Sequence, residues 1–161
     1  MKEINHIWGV NMELESKTRN IIENECEDYY LGIGDLSLAN NPVVLQYKKL
    51  LVEYPRAISI GITLPYYKNK STEEYLYKQS DLQLNTITTQ ICNFLEGNGY
   101  NALSIPKSNV NETDTFLSLH VIAANHSNMG RIKGNNLVMP HEMDLEVNWG
   151  TVLTDAPIKN L

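Results

Sequence analysis

Apolar residues recur at helical spacing from Met12 to about Asp28. Leu14, Ile21, Ile22 and Cys26 fall on one face there, while Glu13, Glu15, Lys17, Arg19 and Glu23 occupy the rest. The spacing predicts an amphipathic surface helix, with residues 1–11 ahead of it as an N-terminal arm. Tyr29-Tyr30-Leu31-Gly32-Ile33-Gly34 then has the apolar character of a short buried strand, and residues 35–41 form a polar connection. Pro42 after Asn41 suits the first position of a helix capped by Asn41, because proline has no amide hydrogen to leave unpaired there. Val43, Tyr47, Leu50, Leu51 and Tyr54 give that second helix one apolar stripe before Pro55 stops it.

The run Ala57-Ile58-Ser59-Ile60-Gly61-Ile62-Thr63-Leu64 alternates with β-branched residues and is the clearest strand in the chain; Pro65 closes it. Ser71-Thr72-Glu73-Glu74 has capping-box spacing and opens a helical pattern to about Glu96, as one helix or two, with Leu84, Ile87, Ile91 and Leu95 on a common face. Tyr100 to Ile105 reads as a strand and Lys107 to Thr113 as a polar loop. Leu119, Ile122, Ala123, His126 and Met129 mark a fourth helix ending at Gly130. Two last strands, Asn136–Met139 and Leu145–Thr154, are separated by Pro140-His141-Glu142. This order predicts a layered α/β domain whose mixed sheet contains an antiparallel hairpin and is flanked by helices.

Composition narrows the picture. With 161 residues, 42% of them hydrophobic, the chain suits one core, so residues 1–161 are expected to form a single domain. No apolar run approaches the ~20 residues of a membrane-spanning helix, and the N-terminus lacks the apolar centre of a secretory signal. Both features lead to the expectation of a cytoplasmic protein. The formal charge of −6 and the dispersed Lys and Arg residues argue against a phosphate-tracking surface, so no nucleic-acid partner is expected for this chain alone. Cys26 and Cys92 are too far apart in sequence for a short metal-binding or redox motif, and both are expected as buried free thiols rather than cluster ligands.

Several phrases, in order, resemble the cobalamin-binding domain of epoxyqueuosine reductases and related iron–sulfur proteins. They are Gly32-Ile33-Gly34-Asp35-Leu36-Ser37; Tyr54-Pro55-Arg56-Ala57-Ile58-Ser59-Ile60-Gly61 through Leu64-Pro65-Tyr66; Leu95-Glu96-Gly97-Asn98-Gly99-Tyr100-Asn101-Ala102; Met129-Gly130-Arg131-Ile132-Lys133-Gly134-Asn135-Asn136-Leu137-Val138; and Gly150-Thr151-Val152-Leu153-Thr154-Asp155-Ala156-Pro157-Ile158. The resemblance implies a nitroreductase-like fold that holds a corrinoid against sheet and helices. The chain departs from the family phrase Ala-Gly-Leu-Gly-Trp-Ile-Gly-Lys-Asn: Asn128 replaces a glycine, Arg131 replaces the tryptophan, and Lys133-Gly134 reverses the Gly-Lys pair. The cysteine-rich region that follows in the family, which ligates iron–sulfur clusters, does not occur before Leu161. No cluster is therefore expected in this chain, and reduction would take electrons from a separate iron–sulfur or flavin donor.

Counting back from the glycine loop, the resemblance places Asp114 at the general-acid position; the ordinary role for an aspartate at such a loop-to-helix junction is a helix cap. Gly130, Gly134 and Asn135 are the cofactor-binding candidates in the loop, and glycine and asparagine also favour a plain helix exit and turn. Tyr66 and Tyr67, beside Tyr75 and Tyr77, are candidates to cover a flat ring, or to form an amphipathic lid or dimer surface. His120 and His126 lie six apart on one helix and project from different faces, so they make no metal pair; His126 shares the apolar face and is expected in the core or a cleft. Three functions are consistent with these residues: a corrinoid-binding redox or cofactor-handling domain, an FMN-binding nitroreductase-like oxidoreductase, and a cofactor-free domain serving in assembly or as a homodimer. The flavin reading lacks an Arg-rich phosphate-binding start.

Overall fold

Alternating Ile58, Ile60 and Ile62 bury one face of a central strand, and each fully buried isoleucine contributes about 1.5–3 kcal/mol relative to exposure. The computed structural model describes residues 2–37, 39, 42–64, 68–107, 118–133, 136–138 and 146–159. The elements are α1 (Lys2–Glu23), β1 (Tyr29–Asp35), α2 (Pro42–Gln46), α3 (Lys48–Glu53), β2 (Arg56–Leu64), α4 (Lys70–Gly97), β3 (Ala102–Ser104), α5 (Leu119–His126), β4 (Arg131–Lys133), β5 (Asn136–Val138) and β6 (Glu146–Thr154). β1, β2, β6 and β3 form a four-stranded sheet in that order, and β4 with β5 makes a separate two-stranded sheet.

Every pairing in both sheets is antiparallel, with Ile58 facing Val152 and Ile33 facing Ile58 at the centre. The layered α/β reading holds, and the mixed sheet is corrected to an antiparallel one. The antiparallel hairpin is also relocated. β5 pairs with β4, which the sequence pattern did not mark, and not with β6. Three residues carry too little alternation to register as a strand; pairing with β5 is what defines β4.

Helices cover both faces of the main sheet. Leu14 and Ile22 of α1 and Leu84, Ile87, Ile91 and Leu95 of α4 pack on Ile58, Ile60, Ile62 and Val152. Leu119, Ile122 and Ala123 of α5 join Leu36, Val44, Leu51, Ala57 and Leu153 on the other side. α4 is one continuous helix of 28 residues, about 42 Å long at 1.5 Å per residue. Its cap is Asn69, whose side chain accepts from the Ser71 amide at 2.9 Å, so the expected Ser71–Glu74 box is not the helix start.

Other boundaries shift for local reasons. The N-terminal arm is corrected: the backbone is helical from Lys2, because adding residues to a nucleated helix costs far less than starting one. Cys26 lies beyond the end of α1 and is half-buried, while Cys92 is buried, and both are free thiols. The helix expected after Pro42 is broken at Tyr47, which turns Tyr47 outward (38% exposed) and leaves Val44 and Leu51 as its buried positions. Asn41, its expected cap, lies outside the described residues.

Candidate functional site

The loop that carries the family resemblance begins where α5 stops. Ser118 caps the start of α5, its Oγ accepting from the Val121 amide at 3.2 Å. At the other end the Met129 amide donates to Ala124 O at 3.2 Å and the Asn128 amide to Asn125 O at 3.1 Å, with Asn128 at a φ of 61°. These are the paired bonds of a Schellman stop, in which the residue after the cap takes a left-handed conformation and the next one packs back on the last turn. Met129 does so, against Ala124. The helix exit is thus Asn128 and not Gly130; Gly130 is held by its carbonyl, which accepts from Asn125 Nδ2 at 2.8 Å.

β1 is shaped to receive this stop. A Cβ on Gly32 would lie 2.5 Å from Met129 Cε and 3.0 Å from Ser127, and one on Gly34 would lie 2.7 Å from the backbone of His126. Only glycine permits α5 to end directly on the strand. The phrases Gly32–Ser37 and Met129–Gly130, far apart in the chain, are therefore one joint. A second joint ties Arg56, Asn101 and Asp155: Arg56 Nη1 donates to Asp155 O and Ala156 O at 3.0 Å, while both Asp155 carboxylate oxygens accept from Asn101 at 2.8 and 2.9 Å.

Beside the loop, on the α5 face, Tyr30, Trp149, Met129 and Val147 cluster. The Tyr30 and Trp149 rings lie 6.1 Å apart at 39°, and Trp149 sits against Gly61, where a Cβ would come within 2.7 Å of the indole. Tyr30, Met129 and Val147 are half-buried, which gives this end of the sheet an apolar surface next to Gly130. Sequence reasoning missed Trp149; its partners come from β1, β2 and the loop, so only the register of the sheet assembles them.

The opposite face at the same end is polar. Asn148 is fully buried, its Nδ2 donating to Ser80 Oγ at 2.8 Å and Asp81 Oδ1 at 2.7 Å, and its Oδ1 accepting from Lys107 Nζ at 2.7 Å. Lys107 also donates to Trp149 O and lies 4.0 Å from the Asp81 carboxylate. Around the sheet edge, His120 Nε2 is 3.1 Å from Pro106 O and Nδ1 is 2.8 Å from Thr151 Oγ1. A carbonyl only accepts, so Nε2 carries the proton of that bond. His120 and Lys107 thereby hold the segment after β3 to both faces of β6, and the signal that could have found them is a polar residue at a position otherwise set by apolar periodicity.

The expected site residues meet only in part. His126 is exposed at the C-terminal end of α5, and His120 is the buried histidine, reversing the expectation. Asp114, Tyr66, Tyr67, Gly134 and Asn135 lie outside the described residues. A cleft of 370 Å³ between α2–α3 and the chain at Leu36, Ser37 and Ala39, lined also by Val44, Leu51, Val52 and Pro55, is at the small end of ligand pockets and contains none of the expected cofactor residues. Among the described residues, no group of three or more His, Cys, Asp or Glu is placed to hold a metal ion, and no helix is long and apolar enough to cross a membrane. Compared with protein-family models and with curated proteins, the chain matches none.

Proposed function

We propose that this domain binds a corrinoid in the way its resemblance to epoxyqueuosine reductases implies, serving redox or cofactor handling with electrons from a separate iron–sulfur or flavin donor. One observation carries the reading. Asn128 stands where the family phrase has a glycine, and it has a φ of 61°, the conformation that glycine adopts freely and asparagine tolerates best among other residues. The substitution thus keeps the backbone path of the loop, which supports reading the altered phrase as the same loop.

The inner side of the loop is filled by Met129 on Gly32, so a ligand would approach the outer side. There the half-buried Tyr30 and Val147 offer an apolar floor for a flat ring, and exposed Arg131 follows Gly130 at the rim. The corrinoid would supply a cobalt centre able to pass electrons. Gly130, Gly134 and Asn135 would border it, Tyr66 and Tyr67 would cover it, and Asp114 would hold the proton for a general-acid step.

A second reading, a cofactor-free assembly domain, is favoured by the same close packing: Ser127 to Met129 close directly on Gly32 and Gly34 of β1. Anaerobic spectroscopic titration with cobalamin and with FMN in parallel separates the readings. A changed cobalamin spectrum with saturable binding is the expected result. Uptake of FMN alone moves the domain to the flavin class, and uptake of neither overturns the corrinoid reading in favour of the assembly role.

A further inference from the structure

The two edges of the main sheet are built differently. On the β3 side the ladder is short, three residues of β3 against Thr154, Leu153 and Val152, extended by the Ile105 amide donating to Thr151 O at 3.0 Å. The next outward carbonyl of β6, that of Trp149, accepts from the ammonium of Lys107. A short edge strand and an inward lysine are both devices that stop a sheet from pairing with another chain.

β1 has neither. Its seven residues contain no proline and no lysine, and all seven face β2. The Leu36 amide donates to Pro55 O at 2.8 Å, which fixes the parity of the ladder: even-numbered residues of β1 bond to β2, and Tyr29, Leu31, Ile33 and Asp35 turn their amides and carbonyls outward. Among the described residues, no backbone group bonds to this outer row. The side chains of Tyr29, Leu31 and Ile33 pack on the core of the α1–α4 face yet remain half-exposed, as the margin of a core that ends abruptly would be.

We infer that the outer edge of β1 pairs antiparallel with β1 of a second copy of this chain, joining two sheets across a two-fold axis. Centred on Leu31, the pairing sets Leu31 against Leu31 of the partner subunit and Tyr29 against the partner's Ile33. Each facing outward pair exchanges two hydrogen bonds. Tyr29 with a β-branched residue is a favourable cross-strand pair. Leu31 and Ile33 of both copies then continue one apolar layer across the junction. A second copy fits better than an unrelated strand because the edge is complementary to itself in this register. The pairing stands independently of any cofactor.

Sedimentation of the full chain tests it. The expected result is a species of twice the chain mass that Leu31→Pro converts to monomer, since a proline at an outward amide leaves the β2 ladder intact. Far-UV circular dichroism checks that this variant is folded. If it is not, Leu31→Cys in a Cys26→Ser background replaces it, because facing Cα atoms at about 5.5 Å lie within disulfide reach. Mild oxidation should then give a reducible covalent dimer. A monomeric wild-type chain, a folded Leu31→Pro dimer, or a dimer lost only on Leu82→Lys at the exposed face of α4 would each overturn the proposal.

Discussion

Asp155 grips Asn101 with both carboxylate oxygens, accepting from the backbone amide at 2.8 Å and from Nδ2 at 2.9 Å. Thr154 Oγ1 donates to Asn101 O at 2.7 Å beside them, and Arg56 holds the carbonyls of Asp155 and Ala156. The turn after α4 and the exit from β6 are thereby tied together at the sheet end opposite Trp149. Asp155→Ala leaves the Asn101 amide without its acceptor and should cost about 2 kcal/mol. For a domain of this length that lowers Tm by about 4–8 °C, and Asp155→Asn should cost less because it keeps an acceptor. Thermal melts of the two variants beside wild type decide it.

Asn128 reports on the loop. Asn128→Ala places a β-carbon residue at positive φ and should destabilise by about 1 kcal/mol, whereas Asn128→Gly should be neutral or slightly stabilising. Urea titrations of both variants measure the difference, and an alanine variant as stable as wild type would remove the left-handed stop.

Glycines separate just as clearly. A Cβ at Gly34 meets the His126 backbone at 2.7 Å, while one at Gly97 meets nothing within 4 Å. Gly34→Ala should therefore cost about 1–3 kcal/mol as α5 is pushed off β1. Gly97→Ala, in the last turn of α4, should add a few tenths to about 1 kcal/mol.

The Asp35 carboxyl is held below the usual carboxylate range, chiefly by the Ser37 hydroxyl, with the Ser37 amide and the charge of Arg56 adding to it against the opposing effect of burial. A group whose folded pKa is depressed stabilises the fold above its unfolded value, near ~3.9. That contribution is lost as pH falls through the folded value. Stability measured from neutral pH downward should accordingly fall less steeply below about pH 4 in Asp35→Asn than in wild type, and the variant should already be weaker at pH 7.

Burial pushes the Cys92 thiol up to about 11, with the nearby charge of Glu96 acting in the same direction, and burial also raises that of half-buried Cys26. Thiolate is the reactive form. A disulfide reagent at neutral pH should react slowly with the native protein, with Cys26 first, and with both thiols rapidly in denaturant. Fast labelling of Cys92 in the native state would contradict its placement on the buried face of α4.

Long periodic segments were legible because their burial depends on residues near each other in sequence. Leu84, Ile87, Ile91 and Leu95 are buried as their spacing on α4 requires, as are Leu119, Ile122 and Ala123 on α5. His126 satisfied the same spacing and is nevertheless exposed, because α5 stops there and the chain reverses at Asn128. The described part of the candidate site was less legible. Gly130 was marked, but Tyr30, Trp149, Lys107, Asn148 and His120 were not, since each has its partners on elements distant in sequence.

The sequence by itself determined that this chain makes helices on an apolar sheet, where β2 lies, and which turns hold glycine, since apolar period and backbone freedom are local properties of the chain. Tertiary structure alone decided that every pairing among the described strands is antiparallel, that β5 turns to β4 and not β6, and that separate phrases meet as joints at Gly32–Met129 and Asn101–Asp155. These are choices among partners that local spacing leaves equal. The register of β2 on β6 and the direct seat of α5 on two glycines settle them through packing at close range.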